Sequence, residues 1–203
     1  MFALVDKSDN SITTMYSGDK GITIGDNQYP KAIFNLWSEA ERNAINIYAV
    51  TIDNSKKKDE RWYINTDITY SFDGTNATGS HGDATARAHA DTKWTQEEID
   101  DNEAPEGADT DTVKVEGLKT ILIKNLKAQA ESELNKTDWY ITRKSEKNTA
   151  IPSAITTHRD AVRSKQDSMC TAITNASDTP ALETLYTRND SGVRPLGDLP
   201  ILK

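Results

Sequence analysis

The sequence predicts an α+β fold: a small antiparallel β domain with one short helix, then a helical hairpin and an extended C-terminal tail. Three features carry that expectation. Apolar and β-branched residues alternate with period two over residues 45–52 and 62–70. Leu118, Ile121, Leu122, Leu126, Ala130 and Leu134 recur at three- and four-residue intervals. Between these patterns, residues 97–111 carry eight carboxylates and no Lys or Arg, a composition with little to bury.

Taken in order, residues 2–5 and 12–15 read as strands about the polar turn Lys7-Ser8-Asp9-Asn10. Ile22-Thr23-Ile24 forms a small strand punctuated by Gly21, Gly25 and Pro30. Ser38, followed by Glu39 and Glu41, suits the start of a helix of about two turns, because its hydroxyl caps free amides and the carboxylates face the positive helix end. Residues 45–52 and 62–70 are expected to pair as an antiparallel hairpin. Its tip would hold Lys56, Lys57, Lys58 and Arg61 as a solvated turn rather than a binding patch. Gly74, Gly79 and Gly82 predict turns or a long loop, and residues 85–89 an edge strand. Domain limits follow: 1–94 β-rich, 95–112 an acidic linker or exposed loop, 113–186 a helical hairpin, and 187–203 an extended tail.

The first helix of that hairpin either breaks at Asn135-Lys136-Thr137-Asp138 or runs on through Arg143. The second begins near Pro152-Ser153, since proline's fixed φ and missing amide suit a first turn. Its stripe is Ile155, Val162, Met169 and Ile173, with His158 nearby. A further short helix begins at Thr179 or Pro180. Trp37 and Trp62 are expected in the core.

Several functions are disfavoured. The formal charge of -8, from 32 acidic and 24 basic residues, gives no attraction to phosphate backbones or anionic lipid; neither nucleic acid nor a membrane is an expected partner. No apolar run approaches the ~20 residues of a spanning helix. Cys170 is the single cysteine, so no intramolecular disulfide forms, and nothing near it would lower its pKa. His81, His89 and His158 lack zinc-site spacing. The acidic tract lacks the D-x-[DN]-x-[DN]-G calcium-loop pattern. Nucleotide-binding and nucleophile-elbow glycine motifs are missing. No catalytic residue, cofactor or metal is expected.

A lone pair of amphipathic helices buries one side of each and must cover the other, which predicts protein partners or a copy of itself. The candidate interface residues are Leu122, Leu126, Trp139, Tyr140, Arg143, Leu185 and Tyr186. Trp139 and Tyr140 follow the apolar helix as broad amphipathic rings, and Arg143 is able to stack on them.

The string Thr137-Asp138-Trp139-Tyr140-Ile141-Thr142-Arg143, with Glu146, Ile151-Pro152 and the Arg159/Arg163 spacing, resembles the C-terminal helical region of small tailed-bacteriophage tail-associated proteins. Asn35-Leu36-Trp37-Ser38-Glu39-Ala40-Glu41-Arg42, followed by Ile47-Tyr48-Ala49-Val50, is similar to the small β domain of the same family. The likeness spans residues 30–72 and 113–186. Asn46 stands where several family members have glycine, and the acidic stretch is longer here. The resemblance implies a non-catalytic virion structural protein of the tail, baseplate or fibre-attachment region, made in the host cytoplasm and bound to neighbouring virion subunits, with homo-oligomerisation compatible. The alternative it implies is a tail or tail-fibre assembly chaperone absent from the mature particle.

Overall fold

The computed structural model describes residues 1–202 and has the α+β composition expected. The chain divides into two compact units, Met1–Thr85 and Ala86–Lys203. The first unit therefore ends nine residues before the limit at residue 94 that composition suggested.

In the first unit, β1 (Phe2–Asp6) and β2 (Ser11–Tyr16) form an antiparallel hairpin. The connecting turn is stabilised by Asp6 and Asp9, which accept hydrogen bonds from the amides of Ser8 and Ser11. A second hairpin, β3 (Ile22–Ile24) and β4 (Asn27–Tyr29), leads into a 3-10 turn at Lys31–Phe34. Helix α1 (Glu39–Ala44) starts where expected: Ser38 and Glu41 make a reciprocal capping box, so two otherwise unpaired amides find acceptors. Asn46, at φ 62°, turns the chain from α1 into β5 (Ile47–Asp53). Glycine adopts that left-handed conformation most readily, and asparagine is among the few other residues that do. Strands β6 (Tyr63–Ile64), β7 (Ile68–Phe72), β8 (Ala77–His81) and β9 (Thr85–Ala86) follow.

The main sheet has the order β2-β1-β5-β8-β7. It curls enough that its edge strands β2 and β7 approach each other, which shields edges that would otherwise be open to pairing. One prediction fails here. The 45–52 and 62–70 segments do not pair: β5 lies between β1 and β8, and its pairing with β8 is the one parallel pair in a sheet whose other described pairs are antiparallel. The cause lies in the link. Lys58 exchanges two backbone hydrogen bonds of 2.8 Å with the Asn65 side chain, and Trp62 and Tyr63 donate to the Asp59 carbonyl. This compact turn buries Trp62 and bends the chain away from a hairpin register. The glycine-rich stretch then supplies β8, where the Tyr70 ring and Ile52 lie over Gly79 so closely that no side chain fits there.

Alternation along β1 places its residues in two cores. Ala3 and Val5 face Tyr48, Phe72 and Ala77; Phe2 and Leu4 face Ile47, Ile22, Ile33 and Phe34. The register matches, with Ala3 opposite Tyr48 and Leu4 opposite Ile47. Trp37 is half-buried against the second core, edge-on to Tyr29. Ile33 and Ile47 are fully buried, each contributing roughly 2 kcal/mol of transfer free energy.

The second unit opens with a two-stranded ribbon, β10 (Thr92–Lys93) and β11 (Val113–Val115), which frames helix α2 (Gln96–Asp100). The acidic stretch is thus an exposed, ordered excursion rather than a linker between domains. Thr95 and Glu98 form a second capping box, Lys114 pairs with Glu98 while lying over the Trp94 ring, and Lys93 pairs with Asp111. The chain breaks at residues 136–137, the first of the two courses expected, and gives α3 (Leu118–Asn135), α4 (Asp138–Lys147) and α5 (Ser153–Asn175), then α6 (Thr179–Tyr186).

Helices α3 and α5 run antiparallel, since Lys119 reaches the Thr174 carbonyl at one end and Arg159 the Leu134 carbonyl at the other. Ile155, Val162, Met169 and Ile173 are all buried against the α3 stripe, as their spacing requires. The tail is not extended. Leu196 is buried and donates its amide to Leu185, Asn189 and Val193 close a turn, and Arg188 and Arg194 both hold Asp198. These contacts fold residues 187–198 back beside α6.

Candidate interaction site

The α3–α4 junction is decided by one arginine. Arg159, on α5, is 7% exposed, and its Nη1 donates to the Leu134 carbonyl at 2.8 Å, Thr137 Oγ1 at 2.6 Å and Asp138 Oδ1 at 2.7 Å. Thr137 is fully buried, and its hydroxyl donates in turn to the Leu134 carbonyl. The Leu134 carbonyl, which also accepts the Thr137 amide at 3.0 Å, thus gains two side-chain donors, and the Arg159 one ties the end of α3 to α5. Thr137 does not cap α4 in the usual manner, because its hydroxyl is engaged inward. Asp138 then stands at the positive end of α4, Lys144 and Lys147 at the negative end, and Asn148, at φ 50°, closes it.

With Thr137 and Asp138 fixed inward, the next residues are presented outward. Trp139 is 51% exposed and stacks on Tyr140, ring centroids 3.8 Å apart and planes tilted 31°. The Arg143 guanidinium lies 4.8 Å from the Trp139 centroid and 5.3 Å from that of Tyr140. Ile141, on the same helix, is also exposed. Each cation–π contact at an exposed site is worth about 0.5–1 kcal/mol. Its larger effect is to hold the rings in one arrangement, which lowers the entropy lost when another surface covers them.

The structure brings Trp139, Tyr140 and Arg143 together and separates them from the other predicted interface residues. Leu122 and Leu126 lie in the core of the second unit, so their stripe is covered within the chain by α5. Leu185 is half-buried under the folded tail, and Tyr186 is half-buried with Arg194 at 5.2 Å from its ring centroid. Sequence reasoning missed the Arg159 anchor, which depends on a partner 22 residues away in the chain.

Other concave regions offer less. A groove of about 460 Å³ beside α6 includes Arg188 and Arg194, but both arginines are committed to Asp198, whose carboxyl they hold below its ordinary range through the Arg188 hydrogen bond first. Burial pushes the Cys170 thiol upward, away from the reactive thiolate. Among the described residues, no three metal-ligating side chains converge and no helix is long and apolar enough to cross a membrane. No protein-family model matches the chain, and no curated protein or solved structure matches it either.

Proposed function

We propose that this chain is a non-catalytic structural protein of a tailed-phage virion, in the tail, baseplate or fibre-attachment region, and that it binds neighbouring virion subunits through the outer face of α4. The observation that carries the reading is the half-exposed Trp139 ring, stacked on Tyr140 and braced by Arg143. Tryptophan, tyrosine and arginine are the residue types that most often dominate protein–protein binding energy. The phage setting rests on the family resemblance of the Thr137–Arg143 string. Its division of labour supports the reading: Thr137 and Asp138 anchor the helix, and the following residues are available for contact.

The test is quantitative mass spectrometry of gradient-purified particles of the encoding phage, measured against the major tail subunit. A fixed whole-number ratio through repeated purification is expected, and Trp139→Ala with Arg143→Ala lowers occupancy. Abundance in infected cells with absence from mature particles would instead establish the assembly-chaperone role and overturn the structural one.

A further inference from the structure

We propose that the α4 patch receives the acidic α2 excursion of a second copy of this chain, giving a head-to-tail contact between second units. This deepens the reading of the patch as an interaction surface and rests on it. The first observation is a set of cations without counterions. Arg143 lies over the Trp139 and Tyr140 rings and Lys144 and Lys147 follow it on α4, and among the described residues none of the three has a carboxylate within 4.0 Å. The Arg143 Nε–H is shielded from solvent and has no acceptor.

The complementary surface lies on the same chain. Glu98, Asp109 and Asp111 are occupied locally, by Lys114, Thr112 and Lys93 respectively, and Asp100 accepts from Gln96. Glu97, Asp101, Glu103 and Glu106 are exposed and have no such partner. The pinned residues hold the excursion in shape, so its free carboxylates are displayed by an ordered element and the ordering cost on binding is small. Trp139 remains half-exposed and the cations unpaired within one molecule, so the two faces can neutralise each other only between molecules. Because loop and patch are different surfaces, the contact is heterologous. Repetition closes a ring or extends a filament.

Net repulsion between chains of charge -8 opposes this attraction, so association should be weak and salt-sensitive. Sedimentation velocity of the full chain over about 5–200 µM covers the micromolar affinities of a weak association. At about 50 mM salt, weight-average mass should rise with concentration, and at about 500 mM the apparent affinity should fall at least ~10-fold. Two variants isolate the faces: Trp139→Ala with Arg143→Ala, and Asp101→Asn with Glu103→Gln and Glu106→Gln. Each alone should remain monomeric, while their equimolar mixture should stop at a one-to-one dimer, since one intact loop and one intact patch remain. A wild type that is monomeric at the highest concentration in low salt, or assembly indifferent to either variant, overturns the pairing. Particle occupancy of the patch variant separates the two ideas. Loss of occupancy with a monomeric wild type overturns the pairing but keeps the patch as a virion contact, and unchanged occupancy overturns the reading of the patch itself.

Discussion

Arg159 illustrates how one side chain fixes both an architecture and a surface. Three hydrogen bonds from its Nη1 join α5 to the end of α3 and the start of α4. Replacing it by methionine keeps much of its volume but leaves the buried Thr137 oxygen and the Leu134 carbonyl with fewer partners. The expected loss is about 2–3 kcal/mol, below that of a fully buried ion pair because the Asp138 side chain is 50% exposed. Thr137→Val removes one acceptor and one donor and should cost roughly 1–2 kcal/mol. Trp139→Ala, which removes a half-exposed ring and its contact with Arg143, should cost about 0.5–1 kcal/mol. Urea titration followed by helical circular dichroism, which reports chiefly on the second unit, distinguishes these cases. A midpoint for Arg159→Met equal to that of Trp139→Ala would show that Arg159 is not the anchor.

At the scale of elements, the acidic excursion stays folded although its charges repel because a few of them are used as pins. The Glu98 carboxyl is held down to about 2 from its ordinary 4.5, first by the Lys114 hydrogen bond and then by the Thr95 amide. A carboxyl whose folded value is depressed stabilises the fold when ionised. That stabilisation is complete above the ordinary value and is lost as pH falls from about 4.5 towards 2. Carboxyl NMR should therefore place the Glu98 midpoint near 2, and Lys114→Met should raise it towards 4.5, with the Thr95 hydrogen bonds still holding it below that value. An unchanged midpoint in that variant would remove Lys114 as the pin. Composition alone marked this stretch as unable to bury much, correctly, but could not reveal Lys93, Trp94 and Lys114 closing around it. Local signals did better where the determinant is local. The α5 stripe, the Pro152 start and the Ser38 cap were all legible, and so was the cluster of Trp139, Tyr140 and Arg143 on one helix. Strand partnership was not legible, because β5 and β8 meet through a bend set by Asn65 and Asp59 rather than by their own alternation. Leu122 and Leu126 were misassigned for a related reason: a stripe specifies that a face is covered, not which element covers it.

For the whole molecule, the consequential difference lies between boundaries at residue 85 and residue 94. Residues 86–91 act as an external cap for α3. The Leu118 and Lys119 amides donate to the Ala88 and His89 carbonyls, at 2.9 and 3.0 Å, and Asp91 accepts from the Gly117 amide and the Thr120 hydroxyl. These are donors that a helix start cannot satisfy from within. The fit is close enough that any side chain at Gly117 would collide with the Ala90 carbonyl and come within 2.8 Å of the Asp91 nitrogen. At the same end of the unit, Thr179, itself nearly fully buried, donates to the Arg87 carbonyl at 2.6 Å. A fragment starting at residue 95 loses every one of these acceptors, and one starting at residue 86 keeps them all. The 86–203 fragment should therefore melt cooperatively with strong helical dichroism, whereas 95–203 should melt at least ~10 °C lower, because several buried groups lose partners worth about 1 kcal/mol or more each. Gly117→Ala in the longer fragment should reproduce part of that loss by forcing the segment off the helix start. Equal melting of the two fragments would mean that residues 86–94 contribute nothing to the second unit, and that composition had located the boundary correctly.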